Sequence, residues 1–301
     1  MSKNRVFVAF VLICMGVIGG IAPIFMKVAL KEFSPIQIVF SRFFFASFVL
    51  FPIALITNNI RFKKQDIIRI VFASLLFSIN IFCFVIGLQY TTSIASQLMY
   101  LLLPVFVILL TFVILKQPVT NKQLISIAIG FVGGFILMSR NTSDVLINSL
   151  GTMRGNLIVL CSVFSWALYA IVSKKLSLKY HPLSLLLVNC VITALLAAIA
   201  LIYLQTDIVG LYSHASSAAL MSLFLLVVLN SILYFFLFQW ALKMASPYTV
   251  SLASYIGPLA AAAFAIPFFG ERITPQLVIS AVLIGISSYL TLKKTRNNSK
   301  Y

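Results

Sequence analysis

Long, unbroken runs of apolar residues make up most of the chain, and short polar segments separate them. A helix needs roughly 20 mostly apolar residues to cross the hydrocarbon core of a bilayer. The runs lack the alternation of apolar and polar residues that is typical of membrane-barrel strands. Ten segments therefore predict transmembrane helices: about 6–30, 36–57, 67–88, 93–115, 123–139, 155–178, 183–204, 218–242, 249–269 and 275–292.

The first apolar run begins behind Lys3 and Arg5, a start that is also typical of a signal peptide. It continues through the glycine-rich stretch 16–20 to about Leu30, without the small-residue cleavage site that ends such a peptide. We therefore expect this run to be the first membrane span.

Composition agrees with a membrane protein. Hydrophobic residues make up 62% of the chain and charged residues 9%, whereas about a quarter of a soluble domain is charged. The lipid bilayer is therefore the predicted surroundings. A net charge of +17 would suggest a nucleic-acid partner in a soluble protein, but here the basic residues lie mostly between the apolar runs, where they act as topology signals. No nucleic acid is predicted as a partner.

Basic residues collect on the cytoplasmic side of membrane proteins. If the N-terminus is cytoplasmic, that side holds all but six of the 22 lysines and arginines. The exceptions are Lys27, Lys31, Arg42, Arg140, Arg154 and Arg272. The sequence thus predicts a multi-pass protein of the cell (inner) membrane with both termini in the cytoplasm.

Acidic and metal-binding side chains are few. The five acids, which lie at span ends or in loops, are Glu32, Asp66, Asp144, Asp207 and Glu271. Proton-coupled pumps usually relay protons through buried carboxylates or histidines, and both histidines also lie outside the span cores, so a facilitator or exchanger is favoured. The four cysteines lack the spacing of a metal site. No catalytic residue, metal or cofactor is predicted.

The two halves of the chain share one pattern. Residues 80–138 align without gaps on 234–292 at an offset of 154 residues, which matches Pro104 with Pro258, and the earlier spans align at an offset of 147. Five spans in each half make the second half enter the membrane in the opposite sense, the symmetry of many secondary transporters. The predicted fold is an all-α integral membrane protein with ten transmembrane helices in two inverted five-helix repeats: residues 1–141 and 155–292, with a connecting loop at 142–154 and a basic cytoplasmic tail at 293–301.

Several motifs occur in a fixed order along both halves. They are Arg42 early in the second span, 87–96 (GLQYTTSIAS) leading to Pro104, 165–169 (SWALY) followed by Lys174, 241–247 (ALKMASP) leading to Pro258, and 270–272 (GER). With these motifs the chain resembles ten-span EamA-type members of the drug/metabolite transporter superfamily over nearly its whole length. It departs from the family pattern at Gly19-Gly20, where Trp-Gly is usual, and at Gln117, where glutamate is common.

The resemblance implies a transporter, not an enzyme, for a small organic metabolite: an amino acid or derivative, or an amphipathic drug-like solute. Members of the family export or take up such solutes, and we expect export, by alternating access between the two inverted halves. A membrane enzyme or a channel is the alternative, although the chain has neither a cluster of catalytic side chains nor a filter-like sequence. The expected partners are the solute and the lipid, and the protein is expected to be a monomer or homodimer.

Arg42 is the deepest basic residue, about 10 Å along the second span from Pro35. A charge inside the membrane is a candidate for binding a substrate carboxylate or phosphate. The alternative is a structural role, which the resemblance favours because the family has arginine here irrespective of substrate. Lys27 and Lys174, near the ends of the first span of each half, are predicted to be interface anchors.

Polar and aromatic residues inside the spans are the other binding candidates, with hydrogen bonding between helices as the alternative for each. They are Asn80, Gln97, Tyr100, Trp166, Tyr169, Asn189, Asn230, Tyr234, Gln239, Trp240 and Tyr255. The predicted substrate-binding residues are Asn80, Gln97, Tyr100, Trp166, Tyr169, Tyr234, Gln239 and Tyr255, together with Arg42.

Pro104 and Pro258 are predicted hinges, because each removes a helix hydrogen bond near the middle of a span. A static kink is the alternative. The glycine pairs 16/20 and 130/134 predict close helix packing within the bundle.

Overall fold

The computed structural model describes residues 3–57, 62–116, 151–205, 212–213 and 215–269, with scattered residues in 121–136 and 273–286. In this part, eight apolar helical segments are long enough to cross a bilayer. They correspond to eight of the ten predicted spans. The predicted spans at 123–139 and 275–292 and the glycine pair 130/134 lie largely outside the described residues.

Every regular element in the described ranges is helical. The helices are α1 (Lys3–Ala29), α2 (Pro35–Ile56), α3 (Ile67–Leu88), α4 (Ser93–Tyr100), α5 (Leu103–Leu115), α6 (Met153–Ser177), α7 (Pro182–Tyr203), α8 (Ser217–Leu225), α9 (Phe235–Met244), α10 (Pro247–Ser251) and α11 (Gly257–Phe269). A 3-10 turn, Lys64–Asp66, precedes α3, and a second one, Leu252–Tyr255, joins α10 to α11. A π-helical segment, Leu226–Tyr234, joins α8 to α9.

Prolines and hydroxyl side chains set where helices begin. Ser34 and Gln37 form a capping box at the start of α2, in which the Gln37 side chain accepts from the Ser34 N–H at 2.7 Å. Pro35, Pro182 and Pro247 lie in the first turns of α2, α7 and α10, where the missing N–H loses no helical hydrogen bond. These starts lie within two residues of the predicted span starts at 36, 183 and 249.

Helices of the first half pack against helices of the second. α3 lies along α6, α2 lies along α7, and α1 contacts α8 and α11. The buried rings of Phe43, Phe77 and Phe235 meet at the centre, and Phe77 lies edge-on to the other two at centroid distances of 5.6 and 4.8 Å. The two halves therefore share one core.

The outer surface of the bundle is apolar. Ile68 and Ile202 are 82% and 75% exposed, and Phe48 is 74% exposed. Such a surface is too apolar for a monomer in water but suits contact with lipid tails.

Hydrogen bonds to an acidic side chain connect the two halves at each end of the bundle. At one end, Lys179 Nζ lies 3.0 Å from both carboxylate oxygens of Asp66, and the Tyr180 hydroxyl donates to Asp66 at 2.8 Å. At the other end, the Glu32 carboxylate accepts from the Ser216 N–H at 2.7 Å and from its hydroxyl at 2.5 Å. The predicted topology assigns Asp66, Lys179 and Tyr180 to the cytoplasmic side and Glu32 and Ser216 to the outside. It therefore requires the members of each cluster to lie at the same end of the bundle.

These hydrogen bonds favour the charged forms of both carboxylates. Those from Lys179 and Tyr180 lower the pKa of Asp66, and the proximity of Lys179 adds to the effect. The hydrogen bonds from the Ser216 hydroxyl and N–H lower the pKa of Glu32.

Candidate solute cavity

A cavity of about 80 Å³ lies at the centre of the described bundle, between the two halves. Helices α1 to α5 line it from the first half, and α6, the π-helical segment, α9, α10, the second 3-10 turn and α11 line it from the second. Its polar and aromatic lining consists of Arg42, Asn80, Phe84, Gln97, Tyr100, Trp166, Asn230, Tyr234, Phe235, Phe238 and Ser254.

Glycines let α1 approach the second half closely on one side of the cavity. A Cβ atom on Gly16 would lie 2.7 Å from the carbonyl oxygen of Ala253, and one on Gly20 would lie 2.5 Å from that of Gly257. Both distances are too short for any side chain. The predicted glycine pair thus packs within the bundle, and α1 presents backbone to the cavity at these glycines.

Arg42 is fully buried and reaches the cavity from α2. Its Nε donates to the Ser231 hydroxyl at 3.2 Å, its Nη2 donates to the side-chain oxygen of Asn230, and its Nη1 lies 3.7 Å from the sulfur of Met26. Ser231 and Asn230 belong to the π-helical segment, so Arg42 connects the two halves. No acidic residue of the described part forms a salt bridge with it.

Asn80 organises a second polar group across the cavity. Its amide nitrogen lies 2.7 Å from the Tyr100 hydroxyl and 2.8 Å from the Ser162 hydroxyl, and these two hydroxyls lie 2.8 Å apart. Gln97 donates weakly to the Gly19 carbonyl at 3.4 Å. The polar side chains of this face are therefore held in place before any solute enters.

Aromatic rings form the remaining wall. Trp166 packs against Phe238 with ring centroids 4.4 Å apart and against Phe235 at 5.7 Å. The Tyr234 ring lies directly over Gly19, where a Cβ would come within 3.1 Å of it. Such a wall suits an apolar or aromatic part of a solute.

The structure divides the nine predicted binding residues into two groups. The residues that line the cavity are Arg42, Asn80, Gln97, Tyr100, Trp166 and Tyr234. Tyr169, Gln239 and Tyr255 do not line it. Tyr169 lies behind Trp166, where its hydroxyl accepts from Asn189 at 2.5 Å and from Gln239. Its polar atom is thus satisfied by neighbouring helices.

The two predicted hinge prolines lie at real breaks in the spans. Pro104 and Pro258 are the second residues of α5 and α11, each just after an interruption of the helix. A proline cannot donate to the carbonyl four residues before it, so Tyr100 and Ser254 lack that helical hydrogen bond. Both residues line the cavity.

Lys174 has a more specific partner than a lipid head group. Its Nζ donates to the carbonyl oxygens of Leu242 at 2.6 Å and Ala245 at 3.0 Å, at the C-terminal end of α9. A cation at this end of a helix satisfies free carbonyls and complements the helix dipole. This cap goes beyond the interface anchoring that the sequence predicts.

Some residues that line the cavity are not among the predicted substrate-binding residues. Asn230 is a candidate amide by sequence, but only its contact with Arg42 singles it out. Ser254 and Gly257 carry no chemical signal of their own. Their correspondence with Tyr100 and Leu103 in the repeat could have found them.

The chain matches the EamA-like transporter family twice, over residues 6–139 and 153–293. An uncharacterized transporter of Archaeoglobus fulgidus is 24% identical over 281 residues, which is 90% of this chain and 92% of the relative. The S-adenosylmethionine uptake transporter of Rickettsia prowazekii is 24% identical over 82% of this chain and 79% of its own length. The uncharacterized transporter YyaM of Bacillus subtilis is 29% identical, and that match spans 52% of each protein.

A solved crystal structure has the same fold, with a TM-score of 0.66 at 12% identity over 95% of this chain and 96% of that one. The three relatives are named as transporters and not as enzymes. Because the family matches cover most of both halves, and the eight apolar helices can cross a bilayer, the chain belongs to the EamA-like transporter family and is a multi-pass membrane transporter.

Proposed function

We propose that this transporter exports a small organic metabolite, an amino acid or derivative or an amphipathic drug-like solute, by alternating access. The observation that carries the proposal is the central cavity, which side chains of both halves line beside two broken spans. Ligand sites of secondary transporters are typically found at such a repeat interface, next to discontinuous helices. The moving units would be the repeats 1–141 and 155–292, inverted relative to each other in the cell membrane.

The repeat register supports an axis of symmetry through the cavity. At the offset of 154 residues, lining residues of the first half correspond to lining residues of the second. The pairs are Asn80 and Tyr234, Ile81 and Phe235, Phe84 and Phe238, Tyr100 and Ser254, and Leu103 and Gly257. Two equivalent linings favour two equivalent arrangements, one open to each side.

The lining supports the solute class. Rings such as Trp166 and Phe238 suit an apolar or aromatic group, while the amides of Asn80 and Gln97 and the Arg42 guanidinium suit a polar head. The rickettsial relative is named for S-adenosylmethionine, itself an amino-acid derivative.

We infer export from the scarcity of acidic residues in the described spans, where Asp66 at the end of its span is the only one. A carrier without a carboxylate relay in its span cores works as a facilitator or an exchanger rather than as a proton-coupled pump. Metabolites made in the cytoplasm are more concentrated inside, so their net flux is outward.

Counterflow into proteoliposomes tests transport. Vesicles preloaded with unlabelled amino acids, S-adenosylmethionine, nucleosides or organic anions are diluted into the matching labelled solute. We expect at least one solute to accumulate transiently above the level in protein-free vesicles. The function is refuted if every solute behaves as it does in protein-free vesicles.

The hinge role of the prolines is tested by Pro104→Ala. This change restores a donor for the Tyr100 carbonyl and favours a continuous helix. We expect slower counterflow with unchanged solute binding and unchanged or higher melting temperature. The matched control is Pro267→Ala, at an exposed proline within α11. If counterflow is equal in both variants and in the wild type, Pro104 produces only a static kink and the hinge prediction is wrong.

A further inference from the structure

The centre of the bundle carries a fixed positive charge. Arg42 is 0% exposed and lines the cavity. The only acidic residue in a described span is Asp66, which lies in the first turn of the segment 64–88 and bonds to Lys179 and Tyr180, and no described carboxylate pairs with Arg42. A buried charge is normally paired, because leaving water is costly for an ion.

The protein partners of Arg42 are neutral and leave part of the guanidinium unused. The group has five N–H donors, and the described residues take three of them, through Ser231, Asn230 and the weakly accepting sulfur of Met26. Asn230 and Ser231 fix the orientation of the guanidinium without neutralising it. The remaining donors and the charge suit a carboxylate, sulfonate or phosphate group, which arginine can bind through two parallel hydrogen bonds.

Arg42 also lies where the two halves must move. It belongs to α2 of the first half and bonds to the π-helical segment of the second. Any rearrangement of the halves passes through states in which the cavity is closed around this charge. With the cavity empty, the closed state holds an uncompensated cation, whereas with an anion bound the site is neutral.

We propose that the cavity binds the anionic group of its solute at Arg42 and that the halves exchange between their two arrangements readily only when the anion is bound, so that the protein is an anion exchanger. The inference rests on the proposed transport function for its second part only. The aromatic wall around Trp166 receives the rest of the solute.

Binding is measured with three aromatic probes of similar size and different permanent charge: benzenesulfonate, benzenesulfonamide and phenyltrimethylammonium. The two tryptophans of the chain give the reporter. Trp166 lines the cavity, and Trp240 packs against Phe7 away from it. In a Trp240→Phe background, Trp166 fluorescence should respond to benzenesulfonate at concentrations at least roughly tenfold lower than to the other two probes.

Variants separate an anion site from a structural role. Arg42→Gln should abolish the preference for benzenesulfonate, and Arg42→Lys should keep part of it. Asn230→Asp places a carboxylate beside Arg42 and should abolish the preference while retaining the folded bundle, since the charges then pair within the protein. The control is Arg154→Gln, which removes an exposed cation that lies over Tyr90 and should leave binding unchanged.

Equal affinity for the three probes, no response to benzenesulfonate, or a preference that survives Asn230→Asp would overturn the anion site. If the wild type does bind benzenesulfonate, proteoliposomes test exchange: labelled benzenesulfonate should enter vesicles preloaded with unlabelled benzenesulfonate at least roughly tenfold faster than vesicles without internal anion. Equal rates into both kinds of vesicle would refute obligatory exchange. Binding of benzenesulfonate without any flux would instead count against the transport function. If Arg42→Gln leaves the flux of neutral metabolites unchanged, the protein is a transporter but the anion site is refuted.

Discussion

At the scale of single residues, the buried polar side chains divide by what they bond. Asn189 and Gln239 both donate to the hydroxyl of Tyr169, so these three side chains bond to one another between helices. Arg42 lines the cavity, and the described residues take three of its five N–H donors. All of these residues lie buried in spans, and only the structure shows which partners each side chain has.

Asp66 gives a pH dependence that can be measured. Hydrogen bonds from Lys179 and Tyr180 lower its pKa in the folded protein, so its stabilising effect is complete above the unfolded pKa of about 3.9 and is lost as pH falls through the lower folded value. We expect the melting temperature of the wild type in detergent to fall on acidification below about pH 4. Asp66→Asn should melt lower at neutral pH and respond less to acid.

The control for this prediction is Arg69→Gln. Arg69 is 68% exposed and lies 3.8 Å from Asp66, so a surface pair of this kind contributes little. Identical pH profiles for the wild type and Asp66→Asn would mean that the carboxylate does not stabilise the contact between α3 and the α6–α7 turn.

At the scale of helices, the irregular segments gather around the cavity. The 3-10 turn before α11 and the π-helical segment contribute lining residues, and Tyr100 and Leu103 line the cavity on either side of the α4–α5 break. Irregular backbone inside a membrane is tolerated where protein or a polar cavity surrounds it, and π-helical turns occur often at functional sites. Pro104 and Pro258 indicate two of these interruptions in the sequence, whereas no comparable residue indicates the π-helical segment.

The close contact between α1 and α11 predicts a sharp difference between two glycines. In Gly20→Ala, the new Cβ would lie 2.5 Å from the Gly257 carbonyl oxygen and 2.7 Å from the Ala260 Cβ, so backbone must shift. We expect a loss of about 1–3 kcal/mol in the free energy of unfolding, measured as a lower melting temperature. Gly285→Ala is the matched control, because no heavy atom lies within 4 Å of its Cβ position. Equal melting temperatures for the two variants would contradict the packing of α1 on α11.

At the scale of the whole molecule, the predicted topology can be tested at the two ends of the bundle. In a variant without its four cysteines, single cysteines are introduced at the exposed residues Lys64, Lys175, Lys31 and Ser217. We expect a membrane-impermeant maleimide to label positions 31 and 217 in intact cells and to reach positions 64 and 175 only after permeabilisation, because the predicted topology places the basic segments in the cytoplasm. Labelling of 64 and 175 from opposite sides would refute the inverted arrangement.

The sequence by itself determined the eight described spans, their proline starts and the family, because the length of an apolar run and the chemistry of a cap are local properties. It also proposed six residues that line the cavity. Only the tertiary structure decided that Tyr169, Gln239 and Tyr255 lie outside the lining. It alone joined Arg42 to Asn230, 188 positions along the chain. The direction in which a side chain points depends on how helices rotate and cross when they pack, and in a chain that is apolar on nearly every face the sequence does not specify that rotation.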